Sequence, residues 1–110
     1  MKVAVVGSRE LSVNNLEKYL PYGTTEIVSG GAVGIDSSAR RYAKHNGLKL
    51  TEFLPDYDNY GRSAPIRRNV EIINYADVIV AFWDGTSHGT KFVIDNAKKR
   101  GKKVIVYVKK

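Results

Sequence analysis

Glu26-Ile27-Val28-Ser29-Gly30-Gly31-Ala32-Val33-Gly34-Ile35-Asp36 runs from a short apolar segment, through three glycines, into a helical pattern. Such a succession is the strand–turn–helix unit of an α/β protein. The glycines leave backbone N–H groups uncovered where a helix begins, and free amides together with the helix dipole favour an anion there. A second junction of this kind, Ser87-His88-Gly89-Thr90, also follows a strand-like run and precedes a helix. With Gly7-Ser8-Arg9 behind the first apolar run, the three junctions are expected to form one phosphate-binding crevice.

The same unit repeats along the chain. Val3 to Val6, Thr25 to Val28, Leu48 to Leu54, Asp77 to Phe82 and Val104 to Val108 read as strands, most of them continuously apolar as in strands buried on both faces. Ser12 is placed to cap a first helix with Val13, Leu16 and Leu20 on one stripe, closed by Pro21 and Gly23. A second helix puts Ile35, Ala39, Tyr42 and Ala43 on one face and stops at Gly47. Pro55 to Arg62 is a long irregular segment, a length that hints at function. Ser63 and Pro65 then open a helix with Ile66, Val70 and Ile73 inward, and a last helix from about Gly89 to Arg100 turns Val93 and Ala97 inward and stops at Gly101. The expected architecture is α/β: one domain over residues 1–110, a five-stranded parallel sheet with four helices spread over both faces and right-handed crossovers. In such sheets ligands bind at the carboxyl ends of the strands, where all these loops lie.

The totals bound the function. A chain of 110 residues with 43% hydrophobic residues builds one core. No apolar run approaches the ~20 residues of a membrane span, no signal-peptide layout precedes the first strand, and there is no cysteine. The expectation is a cytoplasmic protein, not attached to a membrane, with no cofactor and no metal site. The net charge of +7 invites an anionic partner. Much of the excess is in Lys98, Lys99, Arg100, Lys102, Lys103, Lys109 and Lys110, which serve either as a solvated helix end against the dipole or as a nucleic-acid contact.

At the crevice, each residue has a plain reading beside the functional one. Neither G-x-G-x-x-G nor a P-loop is matched, so Gly30, Gly31 and Gly34 are a phosphate cradle or a tight turn. Asp36 is a first-turn charge or a catalytic acid. Ser87 and Thr90 are caps or anion ligands, and His88 is a loop histidine or an acid/base. His45 suits a helix C-terminus. Arg67 and Arg68 begin a helix, where a cation opposes the dipole and invites a compensating anion. Tyr57, Tyr60 and Trp83 either stack on a base or pack the loop down.

Taken together, Gly7-Ser8-Arg9, Ser29 to Asp36, Arg68-Asn69 and Ser87 to Thr90 resemble the SLOG superfamily of Rossmann-like domains, and within it the small YspA-like (cpYpsA-related) group. The resemblance covers nearly the whole chain, in order. It implies a homo-oligomer that binds a nucleotide or nucleotide-sugar phosphate related to AMP, ADP-ribose or NAD. The implied ligand contacts are Gly7, Ser8, Arg9, Ser29, Gly30, Gly31, Gly34, Arg67, Arg68, Asn69, Ser87, Gly89 and Thr90. The related LOG phosphoribohydrolases release a base from a nucleoside monophosphate, which makes an N-glycosidase the alternative, with Arg68, Asp36 and Asp84 as its catalytic candidates. The LOG glutamate is not matched: Lys91, Phe92 and Val93 stand in its place. The Smf/DprA proteins share the Ser-Gly-Gly-Ala-x-Gly-Ile-Asp loop and bind single-stranded DNA, which adds nucleic acid as a third partner class.

Overall fold

A computed structural model describes residues 1–109, so Lys110 of the basic tail lies outside the described residues. Five strands, β1 (Lys2–Gly7), β2 (Glu26–Ser29), β3 (Lys49–Glu52), β4 (Val78–Trp83) and β5 (Lys103–Val108), form one parallel sheet in the order β3-β2-β1-β4-β5. The helices are α1 (Ile35–His45), the single turn α2 (Tyr57–Tyr60), α3 (Ala64–Tyr75) and α4 (His88–Lys99). No helix among the described residues is long and apolar enough to cross a membrane.

Alternation along the buried strands divides the core between the two faces. Val3, Val5, Ile27, Val80 and Phe82 pack under α1, against Ile35, Ala39 and Ala43. Ala4, Val6, Val28, Ile79 and Ala81 face the opposite way, against Ile72 and Ile73 of α3 and Val93, Ile94 and Ala97 of α4. The expected sheet, its parallel order and the helices on both faces are all present. The chain leaves β1 toward β2 and β3 on one side and returns to β4 and β5 on the other. The strand order therefore reverses between β1 and β4, and a crevice opens at their carboxyl ends.

Two helix expectations need correction. Between Ser12 and Leu20 there is only a 3-10 turn, Leu16–Lys18. Val13 and Leu16 are buried as the stripe requires, but the Val13 N–H donates to the Ser38 Oγ at 3.0 Å, so this segment is tied to α1 instead of forming its own helical ladder. A stretch this short, with Asn14-Asn15 at its centre, does not sustain a helix, and Ser12 has none to cap. In α3 the buried residues are Ala64, Ile72 and Ile73, while Ile66 is 51% exposed. Ile66 shares the stripe of Ile73 but lies two turns earlier, beside the exposed 54–62 segment where no layer covers it.

Candidate functional site

A cleft of about 610 Å³ opens at the β1–β4 reversal. Gly7, Ser8 and Arg9 enter it from the end of β1, Gly30, Ala32 and Asp36 from the β2–α1 junction, Arg68 and Asn69 from α3, and Asp84 with Thr86 through Thr90 from the β4–α4 junction. Val6, Pro65, Ile72 and Val93 supply apolar lining. Three sequence-distant junctions thus meet in one place. Among the expected ligand residues, Ser29, Gly31, Gly34 and Arg67 do not line it.

Two amides of the glycine loop are engaged by side chains of the same junction. The Gly31 N–H reaches the Ser29 Oγ at 3.4 Å, and the Ala32 N–H donates to the Asp36 carboxylate at 3.1 Å. Its carbonyls are taken too: Arg68 Nη1 donates to Gly30 O at 2.6 Å, and Arg40 Nη2 donates to Gly31 O at 3.3 Å. The glycines permit close approach. A Cβ on Gly30 would sit 2.5 Å from Arg68 Nη1, and one on Gly34 would meet the Arg9 backbone.

Arg68 and Arg67 part company. Arg68 is half-buried, bonds Gly30 O and Phe53 O, and is steadied by Nε donation to Asn69 Oδ1 at 3.0 Å. Arg67 is exposed, lies 4.4 Å over the Tyr60 ring and donates from Nε to the Ser63 Oγ. Burial depresses the Arg68 guanidinium and Asp36 opposes that effect. Burial likewise raises the Asp36 carboxyl above its ordinary value, against the pull of the Ala32 amide and the Arg68 charge. Asp36 therefore presents a carboxyl that holds its proton more readily than an exposed one.

At the β4–α4 junction Asp84 organises the loop. Its Oδ1 accepts the N–H groups of Thr86 (2.8 Å) and Ser87 (2.7 Å), while Oδ2 lies 2.7 Å from the Ser87 Oγ. Those donors hold its carboxyl far below the usual range, so it is ionised and can only accept. The Ser87 hydroxyl therefore gives its proton to Asp84, and the Ser8 hydroxyl, 2.9 Å away and buried, donates to Ser87. Ser87 occupies the N-cap position of α4, but its side chain makes no cap bond. The first-turn amides at His88, Gly89 and Thr90 are thus left to the cleft. Thr90 is only 6% exposed, lines the cleft, and among the described residues no hydrogen bond holds its hydroxyl.

The loop aromatics stand apart from this chemistry. Trp83 donates from Nε1 to Ser87 O at 3.0 Å, bracing the junction, and Tyr57 and Tyr60 are exposed outside the cleft. His88 is exposed on the cleft rim. Sequence reasoning named Asp84 but missed its organising part. Asp84-Gly85, with Gly85 at φ +89°, is the turn signal that could have shown it. Among the described residues no three His, Cys, Asp or Glu side chains converge on a metal position.

No family model matches the chain. Two solved structures share its fold. DNA processing protein A (DprA) from Streptococcus pneumoniae superposes with a TM-score of 0.77 at 23% identity, covering 96% of this chain and 49% of that one. The structural-genomics target TM1055 gives 0.69 at 22% identity, covering 94% and 71%. This chain spans about half the length of DprA. The Rossmann-like α/β fold, a parallel sheet with helices on both faces, is therefore shared with both. The Gene 61 protein of Mycobacterium phage D29 is 38% identical over 91 residues, 77% of this chain and 72% of that protein, and the chain belongs to the family of this phage protein.

Proposed function

We propose that the cleft binds a nucleotide or nucleotide-sugar phosphate, of the AMP, ADP-ribose or NAD-related class, with a phosphate at the start of α4. The observation that carries this reading is the uncapped first turn of α4 beside Thr90, a largely buried residue that lines the cleft and whose hydroxyl is accessible and unbonded among the described residues. Amides and dipole there meet an anion, and Arg9 adds charge at the rim of the same cleft. Opposite lie the Asp36 carboxyl and the Arg68 clamp, suited to ribose hydroxyls. The glycine loop shapes the cleft instead of holding the phosphate. Calorimetric titration with AMP and with ADP-ribose tests the reading. Thr90→Val keeps the shape and removes the hydroxyl, so affinity is expected to fall by about tenfold, the loss of one hydrogen bond to a charged group. Absence of binding by the wild type, or wild-type affinity in Thr90→Val, overturns it.

One observation favours a second reading, hydrolysis of the N-glycosidic bond in such a ligand. Asp36 is a cleft carboxyl raised by burial, as a general acid requires, whereas Asp84 is committed to its loop. Release of free base from AMP, abolished in Asp36→Asn while binding persists, is the expected result if turnover occurs. Nucleic-acid binding by the basic tail would be a separate property, because α4 begins at the cleft and carries Lys98 and Lys99 at its far end.

A further inference from the structure

Ser87 has the backbone of an N-cap, φ −62° and ψ 122°, and the residue type that caps best, yet it does not cap α4. Its single hydroxyl proton is committed to Asp84 Oδ2, and its oxygen receives the Ser8 proton. Asp84 in turn is fixed by the Thr86 and Ser87 amides, and its own N–H donates to the Ser8 Oγ at 3.3 Å. Two of these bonds, to Asp84 Oδ2 and to Ser8 Oγ, hold the Ser87 hydroxyl where no cap bond forms. Two states of the junction compete for the same amides: a self-capped helix, in which the Ser87 oxygen accepts from Gly89 or Thr90, and an open helix, in which those amides face the cleft.

We propose that Asp84 is a positioning residue that withholds the Ser87 cap, keeping the α4 amides open for the ligand's phosphate. Asp84 acts through Ser87, with Ser8 as the second restraint. The inference rests on the phosphate site proposed above, and Thr90, a residue 6% exposed whose unbonded hydroxyl is accessible in the cleft, marks that site independently. Releasing Ser87 gives a cap that the ligand must displace, a penalty equivalent to about fivefold in affinity. Removing the hydroxyl as well removes the competitor.

The test uses Asp84→Ala, Ser87→Ala and the double variant, with two readouts. The first is amide hydrogen exchange at Gly89 and Thr90 in the protein without ligand. Asp84→Ala is expected to slow exchange at one of these amides by about fivefold, and adding Ser87→Ala restores the wild-type rate. The second is calorimetric titration with AMP and with inorganic phosphate. Asp84→Ala weakens AMP by about fivefold, and the double variant regains the affinity of Ser87→Ala. A general loosening of the loop would instead leave the double variant as weak as Asp84→Ala and speed exchange in both, which overturns the inference. A large loss in Ser87→Ala alone also overturns it, because the hydroxyl would then be a direct ligand contact. If the exchange pattern appears but the wild type binds neither probe, the phosphate site falls while the restraint of Ser87 stands. If AMP binds and exchange does not respond to Asp84→Ala, the restraint falls and the site stands.

Discussion

At Gly34 a φ of +75° coincides with contact against the Arg9 backbone, so an added methyl group meets strain and collision together. Gly34→Ala is expected to destabilise the fold by more than about 2 kcal/mol in denaturant unfolding, since neither the left-handed backbone nor a peptide group can yield cheaply. Gly30 carries no positive φ; its neighbour is the Arg68 guanidinium, the far end of a flexible side chain. Gly30→Ala should therefore cost less stability and show itself by displacing Arg68 from Gly30 O and Phe53 O. Arg68→Ala would remove both bonds and leave the Asp36 carboxyl without its counter-charge. A loss of about 2–3 kcal/mol is expected, so lost binding in that variant would not by itself identify a ligand contact. The need for glycine was legible in the sequence, but its purpose was not. Spacing shows that a Cβ is missing; only packing shows which atom fills the place.

Among the elements, β2 carries an acidic residue where its neighbours are apolar. Glu26 is buried, and its Oε2 accepts from Tyr75 Oη of α3 at 2.6 Å and from Thr51 Oγ1 of β3 at 2.7 Å. Lys49 Nζ stands 3.8 Å from its other oxygen. Burial alone would raise this carboxyl, but the Tyr75 and Thr51 hydroxyls, with Lys49 and Lys2, outweigh it and hold it below its ordinary 4.5. A depressed carboxylate contributes stability above the unfolded value and loses it as pH falls through the folded one. Urea unfolding at pH 6 and pH 3 should show the wild type losing more stability on acidification than Glu26→Gln; equal losses would mean that this network does not carry the effect. Tyr75→Phe should cost about 1–2 kcal/mol at neutral pH, because the carboxylate loses a donor. The strand–helix alternation was readable because apolar periodicity is local, whereas the link from β2 to α3 spans 49 residues and leaves no local mark. The segment around Leu16 shows the converse: its apolar stripe was real, and its backbone bonds went elsewhere.

Over the whole molecule, charge is divided between the two edges of the sheet. Arg9 and Arg68 border the cleft, while Lys98, Lys99 and Lys103 lie toward the strands' amino ends, the length of α4 away, about 18 Å. Part of the basic excess is structural: Lys102 Nζ donates to Ala76 O at 2.7 Å just past the end of α3, and Lys2 lies 4.3 Å over the Tyr75 ring. The Debye length at physiological salt is about 8 Å, so the exposed amino-edge lysines should scarcely affect a ligand in the cleft. Replacing Lys98, Lys99 and Lys103 together by Gln is expected to leave AMP affinity within about twofold at ~0.15 M salt. Any oligonucleotide binding should fall in that variant and decline steeply with salt in the wild type. A large loss of AMP affinity would place the nucleotide site at the wrong edge.

By itself the sequence determined the layers. Continuous apolar runs require strands buried on both faces, helical stripes of Ile35, Ala39 and Ala43 or Val93 and Ala97 require cover for those faces, and the alternation requires a parallel sheet. It also placed the chemistry-bearing loops on one edge, because every such loop follows a strand. The tertiary structure decided which atoms remain available there. Arg68, Asp36 and the Gly30–Ala32 peptides satisfy one another, while Asp84 and Ser8 draw Ser87 away from α4 and leave its first turn unmet. Hydrogen-bond capacity is finite, and its allocation among residues as far apart as Ser8 and Ser87 is settled only when the fold brings them within reach.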